Sequence, residues 1–142
     1  MKIGVIGCGR MGSGMAARLA ETGDEAICWD ADETARDRAA ASGRTVAASL
    51  AGAADVDLLI LSLPNAAAVR AAVNDAAQSL PSGALVLDTT TSDPVTSRDM
   101  AAMGVASGWT FLDAPVSGGP TGARSGAMTM LIGGEEAALN TV

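Results

Sequence analysis

The sequence has 142 residues, enough for one compact domain, and 49% of them are hydrophobic, enough for its core. The formal net charge of −7 argues against nucleic acid and anionic membranes as partners, and no apolar run approaches the length of a membrane span. The first residues lead straight into a strand without a signal-peptide layout, so we expect a cytoplasmic protein.

Strands and helices alternate along the chain. Each predicted strand is a short, mostly apolar run, and each predicted helix stands between capping or turn residues. In chain order we predict a strand at residues 2–6, a helix at 11–22, a strand at 25–29, a helix at 33–41, a short strand at 45–47, a helical turn at 50–54, a strand at 57–63, a helix at 66–80, a strand at 84–88, a helix at 94–107, a strand at 110–114 and a helix that begins after residue 134.

Capping residues support these limits. Asp32 and Ser49 are predicted N-caps, Asp93 precedes Pro94 at the start of a helix, and Gly23 follows the end of the first helix. Strands that are apolar along their length and alternate with helices are typical of a parallel sheet covered on both faces. With right-handed crossovers, this pattern predicts an α/β, doubly wound, mainly parallel Rossmann-type sheet with its ligand crevice at the carboxyl ends of the strands.

The segment Gly7-Cys8-Gly9-Arg10-Met11-Gly12 stands between the first predicted strand and the first helix. The spacing G-x-G-x-x-G is weak evidence by itself, and an ordinary glycine-rich turn is the alternative. At this place, however, Gly7 permits a tight turn, Gly9 lets backbone approach a pyrophosphate, and Gly12 lets the helix pack on the strand. The N–H groups of the first helical turn then bind phosphate, while Arg10 either contacts it or reaches solvent.

Asp30 ends the second predicted strand, about 20 residues after the glycine loop, where an acid accepts hydrogen bonds from the adenosine ribose hydroxyls. A carboxylate there repels a 2′-phosphate, and the next residues, Ala31-Asp32-Glu33, add acids rather than an arginine. The sequence therefore predicts NAD rather than NADP as the cofactor. The alternative is that Asp30 only opens the turn before Asp32.

Acid–base residues for hydride transfer are scarce. The sequence has no histidine or tyrosine, and its single lysine, Lys2, starts the first strand at the amino edge of the sheet, away from the crevice. Asp88 and Asp113 end strands on the correct side, but we expect both to cap turns or brace loops. Without histidine, and with only Cys8 and Cys28 as thiols, the chain lacks ligands for a zinc or iron site, so we expect no metal.

Four blocks of the sequence match one family pattern. They are residues 3–14, residues 61–64, Asp88-Thr89-Thr90-Thr91 with Pro94, and the run from Asp113-Ala114-Pro115-Val116-Ser117-Gly118-Gly119 to Gly133-Gly134. On these blocks the chain resembles the N-terminal domain of the β-hydroxyacid dehydrogenases, which include 3-hydroxyisobutyrate dehydrogenase and tartronate semialdehyde reductase. 6-Phosphogluconate dehydrogenases have a similar Ser-Gly-Gly block, but they usually favour NADP, which the acids at 30–33 fit poorly.

The resemblance implies further site residues. The block Ser117-Gly118-Gly119 would hold the substrate carboxylate through hydroxyl and backbone N–H groups, as a glycine-rich turn can. Leu63 and Pro64 would line the cofactor site. Thr91 would contact the nicotinamide end, although hydrogen bonding at the helix entry is an equal alternative.

The family's catalytic lysine, with an asparagine four residues later, lies on a helix beyond the matched region, as does a helical second domain. We therefore expect residues 1–142 to be a truncated NAD-binding domain that is inactive alone and self-associates through the face left by the missing domain. The predicted function is to hold the cofactor of an NAD-dependent oxidoreductase that transfers a hydride between NAD and a small 3-hydroxy acid or its semialdehyde. The alternative is a non-catalytic NAD-binding or sensing module that is naturally this short.

Overall fold

The computed structural model describes residues 1–139, and it consists of one large sheet flanked by helices and one small sheet. No helix within these residues is long and apolar enough to span a bilayer. The elements in chain order are β1 (Ile3–Ile6), α1 (Arg10–Thr22), β2 (Ala26–Trp29), α2 (Glu33–Ala41), β3 (Thr45–Val46), α3 (Leu50–Ala54), β4 (Leu58–Leu61), α4 (Ala66–Ala76), β5 (Leu85–Asp88), α5 (Pro94–Ser107), β6 (Thr110–Asp113), β7 (Val116–Ser117), α6 (Gly119–Ser125), β8 (Thr129–Met130) and α7 (Glu136–Leu139).

Six strands form the large sheet in the order β3-β2-β1-β4-β5-β6, and every neighbouring pair is parallel. The chain therefore winds outward in one direction from β1 to β3 and in the opposite direction from β4 to β6. The two directions separate between β1 and β4, so a cleft opens there at the carboxyl ends of the strands. The predicted doubly wound α/β fold is confirmed.

Two apolar clusters, one on each face of the sheet, form the core. Alternate side chains of β4 enter opposite clusters: Leu59 and Leu61 pack with Trp109, whereas Leu58 and Ile60 pack with Met15. Since successive side chains of a strand point to opposite faces, a strand that is apolar throughout fills both clusters.

Local signals place most element limits well. Asp32, Ser49 and Asp93 are confirmed as N-caps, because each side chain accepts a hydrogen bond from a backbone N–H of the following turn. The strand predicted at residues 57–63 is shorter, since the Leu63 N–H is donated to the Thr90 hydroxyl instead of a neighbouring strand.

The helix predicted at residues 66–80 is also shorter and ends at Ala76. Beyond it, the N–H groups of Ser79 and Leu80 both donate to the Ala76 carbonyl oxygen, which tightens the chain into a turn.

The sequence patterns do not predict the three short elements that follow β6. β7 and β8 pair antiparallel, with Val116 opposite Met130, outside the large sheet. Between them, α6 packs against α1, and a glycine-rich segment of this kind carries no helical periodicity. The helix predicted near the end corresponds to α7, and residues 140–142 lie outside the described part of the chain.

Candidate functional site

A cleft of about 670 Å³ opens at the carboxyl ends of β1, β2 and β4 and is bounded on one side by α4. It lies at the boundary between β1 and β4, where a doubly wound sheet binds its ligand. Most residues predicted to contact the cofactor line this cleft: Gly7, Gly9, Arg10, Met11, Asp30, Leu63 and Pro64. The other predicted contacts do not line it: Cys8, Gly12 and Thr91.

The three glycines of the loop have different structural roles. Gly7 has a φ of +100°, and a Cβ there would lie 2.2 Å from the Ser62 carbonyl oxygen. A Cβ on Gly12 would lie 1.8 Å from the Gly7 carbonyl oxygen, so only glycine lets α1 close onto the end of β1. Gly9 has an ordinary φ of −68°, and a Cβ there would meet nothing within 4 Å. The fold thus needs Gly7 and Gly12, whereas Gly9 keeps space open beside the backbone.

The N-terminus of α1 is suited to an anion. Its N-cap is Gly9, so no side chain caps the first turn, and that turn contains no acidic residue. By contrast, α2 to α5 each have a polar N-cap side chain that accepts a backbone hydrogen bond. The free N–H groups of α1, the helix dipole and the exposed Arg10 fit the pyrophosphate of a dinucleotide.

Asp30 connects the glycine loop to the end of β2. Its Oδ2 accepts a hydrogen bond from the Cys8 backbone N–H at 2.6 Å, and its Oδ1 accepts one from the Asp32 N–H at 2.9 Å. The side chain therefore both lines the cleft and organises the turn before α2. Arg36, which no sequence pattern singled out, donates from Nη1 to the carbonyl oxygens of Asp30 at 2.7 Å and Ala31 at 3.1 Å. This arginine fixes the turn that presents Asp30.

Cys8 and Cys28 are buried free thiols. The contact with the Cys28 thiol, burial and the Asp30 carboxylate together raise the pKa of the Cys8 thiol above its usual range. Cys8 thus stays a neutral thiol, and its contribution to the loop is the backbone N–H that Asp30 accepts.

Hydrogen bonds join the loops that follow β4 and β5. The Leu63 N–H donates to the Thr90 hydroxyl at 3.0 Å, and the Thr90 N–H donates to Asp88 Oδ1 at 3.0 Å. Thr90 therefore fixes Leu63 in the wall of the cleft. The neighbouring Thr91, predicted to contact the nicotinamide end, is exposed. That contact stays a prediction.

Asp88 is fully buried at the end of β5. Burial raises the pKa of its carboxyl to about 6, with the Asp113 carboxylate adding to the rise and hydrogen bonds from Thr90 opposing it. Within residues 1–139, its Oδ2 has no hydrogen-bond partner. The observed role of Asp88 is to brace the Thr90 loop.

The block Ser117-Gly118-Gly119 lies at the start of α6, and its two glycines have φ angles of +115° and +59°. α6 packs along α1: a Cβ on Gly14 would lie 3.0 Å from the Ala123 Cβ, and Gly126 lies beside the Arg18 side chain. Because later residues of α6 meet later residues of α1, the two helices run in the same direction. Their glycine-capped N-termini therefore lie at the same edge of the sheet.

Lys2 lies at the opposite, amino edge. Its ammonium group pairs with Asp55 at 3.5 Å, and its backbone N–H donates to the Asp57 carboxylate at 2.8 Å. In the part of the chain that the structure describes, no three cysteine or acidic side chains come together as metal ligands.

The parallel sheet, the glycine loop and the uncapped N-terminus of α1 together define a dinucleotide-binding domain of the doubly wound class. Residues 2–142 match the family described as the NAD binding domain of 6-phosphogluconate dehydrogenase, and the chain belongs to this family. NAD is thereby confirmed as the type of cofactor, while its preference over NADP stays a prediction.

Several curated relatives are 3-hydroxyisobutyrate dehydrogenases. The chain is 36% identical over 143 residues to the probable mitochondrial enzyme of Dictyostelium discoideum, covering 98% of this chain and 44% of that protein. It is 36% identical over 138 residues to the mitochondrial enzyme of Homo sapiens, covering 94% of this chain and 41% of that protein. The predicted family resemblance is confirmed. Because both relatives are described as mitochondrial, the cytoplasmic location stays a prediction.

Solved structures give the same result. The 3-hydroxyisobutyrate dehydrogenase of Mycobacterium tuberculosis with L-serine superposes with a TM-score of 0.93 at 33% identity, covering 99% of this chain and 48% of that one. The 3-hydroxyisobutyrate dehydrogenase of Salmonella typhimurium superposes with a TM-score of 0.90 at 34% identity, covering 99% and 50%. The chain thus spans half or less of the length of these relatives.

Proposed function

We propose that this chain is the NAD-binding part of an oxidoreductase that transfers a hydride between NAD and a small 3-hydroxy acid or its semialdehyde. The observation that carries the proposal is the common edge at which α1 and α6 begin. A pyrophosphate at α1 and a substrate carboxylate at Ser117-Gly118-Gly119 are compatible with one active site there. The ligand named with the M. tuberculosis relative, L-serine, supports this substrate class, because it is itself a carboxylic acid with a hydroxyl on carbon 3.

The cofactor contacts follow from the cleft. The first turn of α1 and Arg10 would bind the pyrophosphate, and Asp30 would accept hydrogen bonds from the adenosine ribose hydroxyls. Leu63 and Pro64 would cover the cofactor, and Thr91 would contact its nicotinamide end. NAD supplies the hydride acceptor, and the residues of this chain bind and orient it.

The proton donor or acceptor for the hydroxyl group comes from outside this chain. Lys2 is paired at the far edge of the sheet, and Asp88 is buried behind Thr90. Neither histidine nor tyrosine occurs in the sequence. The curated relatives are more than twice as long, and we place the catalytic lysine and a second helical domain in the corresponding remainder of the parent protein.

Binding and turnover assays test this division of roles. We expect the chain to bind NADH at least about tenfold more tightly than NADPH, because the Asp30 carboxylate repels a 2′-phosphate. Asp30→Asn should bring the affinities for NADH and NADPH closer together. We expect no measurable oxidation of 3-hydroxyisobutyrate by the chain alone. NADPH binding tighter than NADH binding would overturn the role of Asp30. Turnover by the chain alone would overturn the proposal that the acid–base residue lies outside it.

A non-catalytic NAD-binding module is the second candidate, favoured because the sequence has no histidine or tyrosine and its one lysine, Lys2, lies at the opposite edge of the sheet from the cleft. The two candidates differ at Ser117, since a module of that kind needs no carboxylate site. Calorimetry of 3-hydroxyisobutyrate against the NAD-saturated chain should show binding that Ser117→Ala weakens. If neither the wild-type chain nor Ser117→Ala binds 3-hydroxyisobutyrate, the non-catalytic module is favoured.

Exposed apolar side chains support the proposed self-association. Leu131, Ile132 and Leu139 lie near the end of the described chain and are 72%, 38% and 36% exposed. Light scattering should show association that increases with concentration. A monomer at every concentration would contradict this proposal.

A further inference from the structure

The wall of the cleft formed by α4 carries a carboxylate that the proposed NAD contacts do not use. Ala68, Ala71, Ala72 and Asp75 recur at three- and four-residue spacing, so they share one face of α4, and all four line the cleft. The Asp75 carboxylate makes no hydrogen bond or ion pair with the residues that the structure describes. Its carboxylate is therefore available to a ligand.

The lining between the glycine loop and Asp75 is mostly apolar. Trp29, Leu50 and Leu63 contribute large side chains, and the alanines of α4 leave room beside them. An apolar space with a polar group at its border suits a purine ring. A carboxylate only accepts hydrogen bonds, so it matches a ring edge that presents a donor.

We propose that Asp75 accepts a hydrogen bond from the C6 amino group of adenine and so selects adenine over a purine ring that carries only hydrogen at C6. The inference rests on the proposed function, since it requires the dinucleotide to lie in this cleft. The charges of the lining agree with it: the acids Asp30, Asp32 and Asp75 accompany one cation, Arg10. This end of the cleft therefore favours groups that donate hydrogen bonds over groups that add negative charge.

NADH and reduced nicotinamide purine dinucleotide differ at C6, where the first has an amino group and the second a hydrogen, so only NADH offers a donor at this edge of the ring. Both are titrated into the 142-residue chain, Asp75→Asn, Asp75→Ala and a control, Asp37→Asn. Asp37 is exposed on α2 and does not line the cleft, so the control removes one negative charge without touching the site. Circular dichroism checks that every variant is folded.

The wild-type chain should bind NADH about fivefold to tenfold more tightly than the purine analogue, as expected of a hydrogen bond to an exposed charged group. Asp75→Ala should bring this ratio of affinities close to one, mainly by weakening the binding of NADH. Asp75→Asn should keep part of this ratio, because its amide oxygen can still accept a hydrogen bond from the amino group. Asp37→Asn should keep the wild-type ratio.

Two results would overturn the role of Asp75 while leaving the proposed function intact. One is equal binding of both dinucleotides by the wild-type chain, and the other is an unchanged ratio in folded Asp75→Ala. If the wild-type chain does not bind NADH, the proposed function itself is wrong, and the assignment of Asp75 is wrong with it.

Discussion

Replacing Asp88 with asparagine should stabilise the chain at neutral and alkaline pH and destabilise it slightly, by about 1 kcal/mol, near pH 4. The carboxylate is fully buried at the end of β5, and its Oδ2 has no hydrogen-bond partner within residues 1–139. Burial raises its pKa from 3.8 to about 6. Above pH 6, the folded chain therefore holds in its interior a negative charge that the unfolded chain exposes to water.

The pKa rise sets the size of the effect. At about 1.4 kcal/mol per pKa unit, ionised Asp88 is disfavoured by about 3 kcal/mol in the folded chain. Between about pH 4 and pH 6, the folded chain binds a proton that the unfolded chain does not, so the free energy of unfolding rises as pH falls. Asparagine keeps an oxygen for the Thr90 N–H but buries an amide N–H, which lowers the free energy of unfolding by about 1 kcal/mol and so offsets part of the gain. We expect a net gain of about 2 kcal/mol at pH 8, using the same constants.

Urea unfolding followed by circular dichroism at pH 4, 6 and 8 measures the effect. The difference between Asp88→Asn and the wild type isolates Asp88, since the other groups titrate in both proteins. Asp37→Asn, at an exposed position on α2, serves as the control and should show a small difference that does not depend on pH. If Asp88→Asn is destabilised equally at all three pH values, the buried charge is not the unfavourable group we describe.

Substitutions at three further positions test the supports of the cleft. Gly12→Ala should lower the free energy of unfolding by more than about 3 kcal/mol, because its Cβ would lie 1.8 Å from the Gly7 carbonyl oxygen; a loss below about 1 kcal/mol would contradict that contact. Thr90→Val should lower the free energy of unfolding by about 1–2 kcal/mol and weaken NADH binding, since the Leu63 N–H loses its acceptor. Thr90→Ser keeps the hydroxyl, so its free energy of unfolding and its NADH binding should match those of the wild type. Arg36→Met should raise the Kd for NADH about threefold by freeing the turn that presents Asp30, and an unchanged Kd would show that the turn holds without it.

Local patterns in the sequence predict the elements of the large sheet because local chemistry determines them. The all-apolar run of β4 requires burial on both faces, and the N-caps Asp32, Ser49 and Asp93 form within one turn of their helices. By contrast, α6 is stabilised by packing against α1, about a hundred residues earlier. Its glycine-rich sequence contains no local sign of that contact.

The candidate site divides in the same way. The roles of Gly7 and Gly12 follow from a spacing with a known steric cause, and the structure confirms both contacts. Arg36 and Thr90 could not be singled out, because their function depends on backbone groups of other loops. Asp75 is one acid among many in the sequence, and only the path of α4 beside the cleft distinguishes it.

Titration of NADH into the wild-type chain and Gly9→Ala in parallel tests most directly whether the space at the glycine loop receives the cofactor. A Cβ at this position meets nothing within 4 Å and the backbone angle suits alanine, so the variant should keep the wild-type free energy of unfolding within about 0.5 kcal/mol. The added methyl group would occupy the space that a pyrophosphate needs, so the Kd for NADH should rise at least about tenfold. A folded Gly9→Ala chain that binds NADH as tightly as the wild type would show that the cofactor does not lie at this loop.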